Sequence, residues 1–252
     1  MRDQTDALFQ HIFQVWRERV TPRLQTDFGC SMYTCPLCDC EVCWFFHGDN
    51  VREYLCCRRC GLVFVPQVFQ LNRREEKAVY DLHENGVNDI GYRKYLARLS
   101  TPLLHRLGTA PRHGLDFGCG PGPALAAMLA EHGHTVELYD PFYFDNPAVL
   151  AAKYDFVCAT EVVEHFRDPK MSFSLMFNIL ANLGILAVMT GRIRDQESFK
   201  RWHYIRDPTH VSFYSEKTFA YLAEKNRAEL EFVSSDVVFF VKQTHLQKKW
   251  LQ

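Results

Sequence analysis

The run His113-Gly114-Leu115-Asp116-Phe117-Gly118-Cys119-Gly120-Pro121-Gly122 constrains this chain more than any other stretch. An apolar segment delivers one acidic residue to a turn with glycine at alternate positions. An apolar helical segment then begins near Pro123-Ala124-Leu125. Strand, bare-backbone turn and helix in that order make the bend of an α/β fold where ligands lie across the carboxyl ends of parallel strands. Glycine there admits φ values and a closeness to ligand that a Cβ forbids. The spacing is Gly-x-Gly-x-Gly, unlike the Gly-x-Gly-x-x-Gly of dinucleotide folds. Pro121 and Pro123 also remove two N–H donors from the place where a pyrophosphate would be held. The turn suits a cofactor with a nucleoside and no phosphate.

From Leu115 onward, strand and helix patterns alternate, which predicts a doubly wound, mainly parallel sheet. Strands are expected at Leu115–Phe117, Val136–Tyr139, Phe156–Ala159 and Ile185–Thr190, with helices at Ala124–His132, Lys170–Asn182 and Ser215–Asn226. Glu229–Ser234 and Val237–Lys242 follow with no helix between them, so they form an antiparallel hairpin. Only about fifteen residues separate Asp140 from Asp155, and Pro141 and Pro147 fall among them. That is too short for a helix and a further strand, so the third strand of such a sheet must be short or missing.

Leu115-Asp116-Phe117-Gly118-Cys119-Gly120-Pro121-Gly122 resembles the first motif of the class I S-adenosylmethionine (SAM)-dependent methyltransferases, and the resemblance runs over roughly residues 78 to 245. It implies an α/β, Rossmann-like methyltransferase sheet that is mainly parallel with an antiparallel C-terminal hairpin, and SAM as cofactor. It implies that Asp116, Gly118, Cys119, Gly120 and Gly122 form the cofactor turn, and that Asp140, about twenty residues on, accepts the two ribose hydroxyls. Pro141, Thr160 and Glu161, after the second and fourth strands, complete the expected cofactor set. Phe142 and Tyr143 either pack on the adenine or fill the space of the missing strand. Helices between residues 72 and 108, broken near Asn85-Gly86-Val87-Asn88, stand where the family places a helical cap over the cofactor. His83, Asn85 and Tyr92 are candidates to line that cap or to serve ordinary loop and core roles.

Cysteine usage sets a second constraint. Eight of the ten cysteines lie between Cys30 and Cys60. Cys35-Pro36-Leu37-Cys38 and Cys57-Arg58-Arg59-Cys60-Gly61 are two knuckles 18 residues apart, the spacing of a four-cysteine zinc ribbon. Trp44-Phe45-Phe46, Tyr54-Leu55 and Leu62–Val65 read as its short strands. So small a module lacks a sufficient core, and Zn2+ bound by Cys35, Cys38, Cys57 and Cys60 would supply folding energy on the order of 10 kcal/mol. A register using Cys40 and Cys43 in place of the first pair remains open. The organisation expected is an amphipathic helix at 1–28, a zinc ribbon at 29–68 and a methyltransferase domain at 69–252, with 69–112 as its cap. The N-terminal helix, apolar at Leu8, Phe9, Ile12, Phe13, Trp16 and Val20, packs on its own chain or pairs two copies.

Composition narrows the partners. The formal net charge is −1, and the first sixty residues hold seven arginines, no lysine and eight acids, so no basic field for nucleic acid exists there. Arg58 and Arg59 leave room for a local RNA contact. No apolar run approaches the ~20 residues of a membrane span, and the early Asp3 and Asp6 do not suit a secretory signal, so a cytoplasmic protein is expected. A small-molecule acceptor is the first expectation, and RNA the second.

Glu161-Val162-Val163-Glu164-His165 follows the fourth strand. In a helical turn Glu161, Glu164 and His165 would share one face, and two close carboxylates invite a cation. Glu164, His165 and the later His210 are candidate catalytic residues, and with Glu161 they are candidate ligands for Mg2+ or another divalent ion. The arrangement is similar to that of the ubiquinone-pathway O-methyltransferases and of enzymes that methylate a 2′-hydroxyl at small-RNA 3′ ends. The alternative is that Glu164 and His165 shape the pocket through hydrogen bonds, with His165 or His210 as general base. A protein that binds through its ribbon and uses the methyltransferase fold only as scaffold is the non-enzymatic alternative.

Overall fold

The computed structural model describes residues 33–82 and 86–244; the N-terminal segment 1–28, Cys30, His83 and Asn85 lie outside the described residues. In chain order the elements are β1 (Cys43–Gly48), β2 (Glu53–Cys57), β3 (Val63–Phe64), α1 (Arg73–Tyr80), α2 (Ile90–Leu107), β4 (His113–Phe117), α3 (Ala124–Ala130) and β5 (Thr135–Tyr139). They continue with β6 (Tyr154–Thr160), α4 (Pro169–Ile179), β7 (Leu180–Met189), β8 (Arg192–Ile193), α5 (Gln196–Lys200), β9 (Ser212–Ser215), α6 (Glu216–Asn226), β10 (Ala228–Phe232) and β11 (Val237–Lys242).

Two compact units result, and the chain passes between them several times. Among the described residues, one comprises 33–82 with 164–170 and 192–218; the other comprises 86–163, 171–191 and 219–244. These units are not the consecutive blocks 29–68 and 69–252 that the sequence suggests.

The larger unit contains a six-stranded sheet in the order β10-β11-β7-β6-β4-β5. Strands β5, β4, β6 and β7 run parallel, while β11 is antiparallel to both β7 and β10. The expected parallel sheet and C-terminal hairpin are both present. Among the described residues no strand lies beyond β5, because 141–153 form a tight turn and a short 3-10 segment at Pro147–Ala151. The centre of β6 is buried without interruption, as suits a strand covered on both faces. Leu96, Leu99 and Leu103 of α2 pack with Leu125 and Leu129 of α3 against Phe156, Cys158, Ala187 and Phe239 of the sheet. Asp89 caps α2 by accepting from the Tyr92 amide, and Gly108 ends that helix with φ +70°.

One boundary differs from the sequence reading. The expected helix to Asn182 stops at Ile179, and β7 begins at Leu180 rather than at Ile185. Leu183 has a left-handed φ of +62°, and the β6–β7 register slips between Tyr154 and Phe156. The turn-like Asn182-Leu183-Gly184 is thus an irregularity inside an extended segment.

The smaller unit is built on a five-stranded sheet, β1-β2-β3-β9-β8. The ribbon strands fall where the sequence places them, but the sheet continues through β3–β9 pairing into a segment that follows β7. Tyr54, Val63, Phe69, Phe199, Ile205 and Phe213 form its core, dominated by edge-to-face ring pairs 5.2 to 5.8 Å apart. Helix α1 starts with a complete capping box between Asn72 and Glu75.

Candidate functional sites

In the larger unit, β4 stands between β5 and β6, so their carboxyl ends open a crevice at the point where strand order reverses. Asp116 is buried at the end of β4. Burial lifts its carboxyl to about 7; a hydrogen bond from the Ala126 N–H at the start of α3 opposes the shift, and the charge of Asp140 adds to it. Gly118 has φ +76°, donates its N–H to the Tyr139 carbonyl at 2.7 Å, and has Val162 so close that a Cβ would lie 2.2 Å from Cγ2. Gly120, at φ +63°, is the opposite case, since a Cβ there would meet nothing within 4 Å. Its N–H donates to Oδ2 of Asp140 at 3.0 Å.

Asp140 closes β5 with 7% exposure. Its Oδ1 accepts the amides of Phe142 (2.8 Å) and Tyr143 (3.1 Å). A carboxylate offers about four lone-pair sites, so a diol bound here would share them with these amides. Burial, followed by the charges of Asp116 and Asp140, pushes the Cys119 thiol well above its ordinary range and keeps it neutral. Gly122 accepts from the Ala124 amide at 2.7 Å and so leads into α3. Pro141 is exposed, while Phe142 and Tyr143 are half-buried. Thr160 ends β6, and the next residue, Glu161, donates its amide to Met189 at 2.8 Å from a left-handed φ of +51°. Tyr92 of α2 belongs to the same neighbourhood. Its hydroxyl is pushed up to about 12 by burial and by the charges of Asp116 and Glu161. Two acidic side chains and a turn with open space at the Gly120 Cβ position, all at one crevice, fit a nucleoside with vicinal hydroxyls and a cationic tail.

In the smaller unit, the thiols of Cys35, Cys38, Cys57 and Cys60 are buried and lie within 4.8 Å of one another. The Cys35–Cys60 and Cys38–Cys57 sulfurs are 3.6 and 3.4 Å apart. Zinc–thiolate bonds of about 2.3 Å in a tetrahedron set sulfurs about 3.8 Å apart, so the four fit that ion. A hydrogen bond from Cys60 and amides of Leu37 and Cys38 draw Cys35 down to about 6 against the effect of burial, the state a metal ligand needs. Asp39 and Gly61 take left-handed φ values just past each knuckle. Cys40 and Cys43 instead direct their thiols at the carbonyls of Val42 and Cys40, which places the ligand group in the first register.

The smaller unit also gathers Glu164, His165 and His210, whose ligand atoms lie within 4.8 Å of one another. Glu164 is wholly buried and accepts the Tyr204 hydroxyl at 2.5 Å. His165 Nδ1 faces the Thr209 carbonyl at 3.2 Å, and His210 Nδ1 faces the Tyr204 carbonyl at 2.8 Å. A carbonyl only accepts, so both Nδ1 atoms carry the proton and Nε2 becomes the ligand or base atom. Burial and the neighbouring His210 pull His165 down to about 4, so its ring is neutral. Burial alone would raise Asp207, but His210, His165 and Thr209 bring it below the ordinary carboxylate range. Its Oδ2 lies 3.8 Å from His210 Nε2. The ring of Tyr80 packs edge-on to His165 at 5.2 Å.

Glu161 does not join this cluster. The shared face required a helical turn from Glu161, but the short 3-10 helix starts at Val163 and Glu161 is left-handed. Tyr204 and Asp207 were not foreseen, although Asp207-Pro208-Thr209-His210 has the i, i+3 spacing of a turn.

A family model described as methyltransferase domain matches residues 92–231. No curated protein matches the chain. Among solved structures, the 1,6-didemethyltoxoflavin-N1-methyltransferase of Burkholderia thailandensis, with 1,6-didemethyltoxoflavin and S-adenosylhomocysteine bound, is 16% identical with a TM-score of 0.50, covering 79% of this chain and 98% of that one. The magnesium protoporphyrin IX methyltransferase of Synechocystis PCC 6803, bound to S-adenosylhomocysteine, is 14% identical with a TM-score of 0.49, covering 69% and 96%. Among the described residues, no helix is long and apolar enough to cross a membrane.

Proposed function

Because this chain belongs to the class I SAM-dependent methyltransferases, we propose that it methylates a hydroxyl of a small molecule, with Glu164, His165 and His210 handling the acceptor. When bound, SAM supplies a methyl group on a sulfonium, so the transfer disperses charge and asks mainly for alignment in a dry site. Asp116, Gly118, Cys119, Gly120, Gly122, Asp140, Pro141, Thr160 and Glu161 are the residues assigned to hold it.

The observation that carries the reading is the buried Glu164 cluster, which begins three residues after Glu161 in the chain. Two imidazoles and a carboxylate suit a divalent ion, which would acidify an acceptor hydroxyl. Tyr204 fixes the Glu164 carboxylate, and backbone carbonyls fix both rings. The neutral His165 ring serves as general base if the acceptor reaches it directly. The four cysteines are assigned a structural Zn2+. The near-zero net charge supports a small molecule over RNA.

Full-length protein, with SAM labelled in its methyl group and a panel of phenols and catechols, tests this. Glu164→Gln and His210→Ala are expected to retain S-adenosylhomocysteine binding and ribbon zinc while losing calorimetric Mn2+ binding and methyl transfer together. Transfer by the wild type that ignores chelator while zinc remains in the ribbon would remove the metal.

A further inference from the structure

The first ribbon hairpin reaches the His210 loop chiefly through a buried guanidinium. Arg52 precedes β2 and is 3% exposed. Its Nη1 donates to the carbonyls of Pro208 (3.3 Å) and His210 (3.0 Å). Its Nη2 donates to those of Ile205 and Asp207, the latter at 3.0 Å. The Tyr54 hydroxyl, two residues on, lies 2.9 Å from Asp49 Oδ2 and 3.2 Å from the Ile205 carbonyl, two acceptors for its one proton. Asp49 Oδ1 in turn accepts the amides of Val51 and Arg52, so the base of the arginine is itself fixed.

The segment 205–210 begins in the last two residues of a 3-10 turn (His203–Arg206) and ends before β9, so it has no strand ladder to define its path. Its carbonyls converge on Arg52 instead. A buried guanidinium demands partners for a rigid fork of five N–H donors, and it satisfies four backbone oxygens at once. Lysine keeps the charge but not the fork. The conformation matters because His210 takes its tautomer from the Tyr204 carbonyl, six residues back across this segment.

We infer that Arg52 is a positioning residue, which fixes loop 205–210 so that His210 is held with its proton on Nδ1 and presents Nε2. The ribbon is then a structural part of the Glu164–His165–His210 site rather than an appended module. The inference concerns how that site is built and rests on the role proposed for His210, and its test is arranged to separate the two.

The experiment is long-range 1H–15N spectroscopy of the histidine rings in full-length, zinc-loaded protein, with Mn2+ titration in parallel. In the wild type, His210 should show the single Nδ1-protonated pattern. Arg52→Lys should replace it with a mixture of both tautomers and weaken Mn2+ binding by about 10-fold or more, as loss of an outer-shell support does, with one zinc per chain retained. Tyr54→Phe, which leaves the guanidinium in place, should move the same signals less. An unchanged His210 pattern in both variants would overturn the inference. If the wild type binds no Mn2+ but its tautomer still depends on Arg52, the metal role fails and the positioning role stands.

Discussion

Replacing Cys57 with serine is expected to lower bound zinc from one per chain to near zero and to unfold the smaller unit. Cys57 is fully buried at the end of β2 and faces Cys38 at 3.4 Å. Its sheet joins β2 to β3 and β3 to β9, so the ribbon and the segment carrying His210 share one framework. A structural zinc site contributes on the order of 10 kcal/mol or more to small domains, comparable to the whole stability of an ordinary domain. Removing one of four thiolates should therefore remove most of that unit's cooperative melting. Cys56→Ala is the control, because Cys56 is buried in the core but lies outside the ligand group. It should keep its zinc and cost about 1 kcal/mol. Metal analysis with calorimetric melting distinguishes the two outcomes, and a Cys57→Ser protein that melts like the wild type would refute a structural metal.

The second large effect belongs to Gly118. Alanine there must adopt φ +76° and place its Cβ 2.2 Å from Val162 Cγ2, with Val162 Cβ at 2.8 Å. A left-handed non-glycine residue costs roughly 1–2 kcal/mol, and overpacking a close-packed site adds about 1–3 kcal/mol. A loss near 3 kcal/mol should lower the melting temperature of the larger unit by about 6–12 °C. Gly120→Ala should behave differently. Its Cβ meets nothing, so melting should shift only by the cost of its backbone angle. Its methyl group enters the space assigned to the cofactor, so S-adenosylhomocysteine affinity should fall sharply. Equal effects of the two substitutions on both measurements would mean that the turn is structural at both positions.

The fold of the larger unit was legible because its signals are local. The glycine turn, the alternation of elements and the short interval after Asp140 each act within about 30 residues. The interval was informative through what it lacked, since thirteen residues cannot supply a crossover helix and a strand. The cysteine knuckles were legible for the same reason, as each pair is set by one turn. Other features were hidden by sequence distance. Strands β3 and β9 pair across about 150 residues and are two and four residues long, too short for any period to show. Arg52 was unreadable as a support because its partners are backbone carbonyls, which carry no sequence signature. Glu161 was misplaced because the i, i+3, i+4 argument assumed a helix that starts two residues later. The end of α4 was misjudged because Leu183 adopts a turn conformation within a strand-like run.

The central claim is that Asp140 and the glycine turn hold a nucleoside cofactor, and calorimetric titration of S-adenosylhomocysteine into the full chain tests it most directly. The wild type should bind one equivalent. Asp140→Ala should lose at least about 30-fold in affinity, since charge-assisted hydrogen bonds of roughly 2 kcal/mol or more are removed, while its ribbon zinc is unchanged. Wild-type protein that binds none, or an Asp140→Ala protein that binds as tightly, would contradict the account.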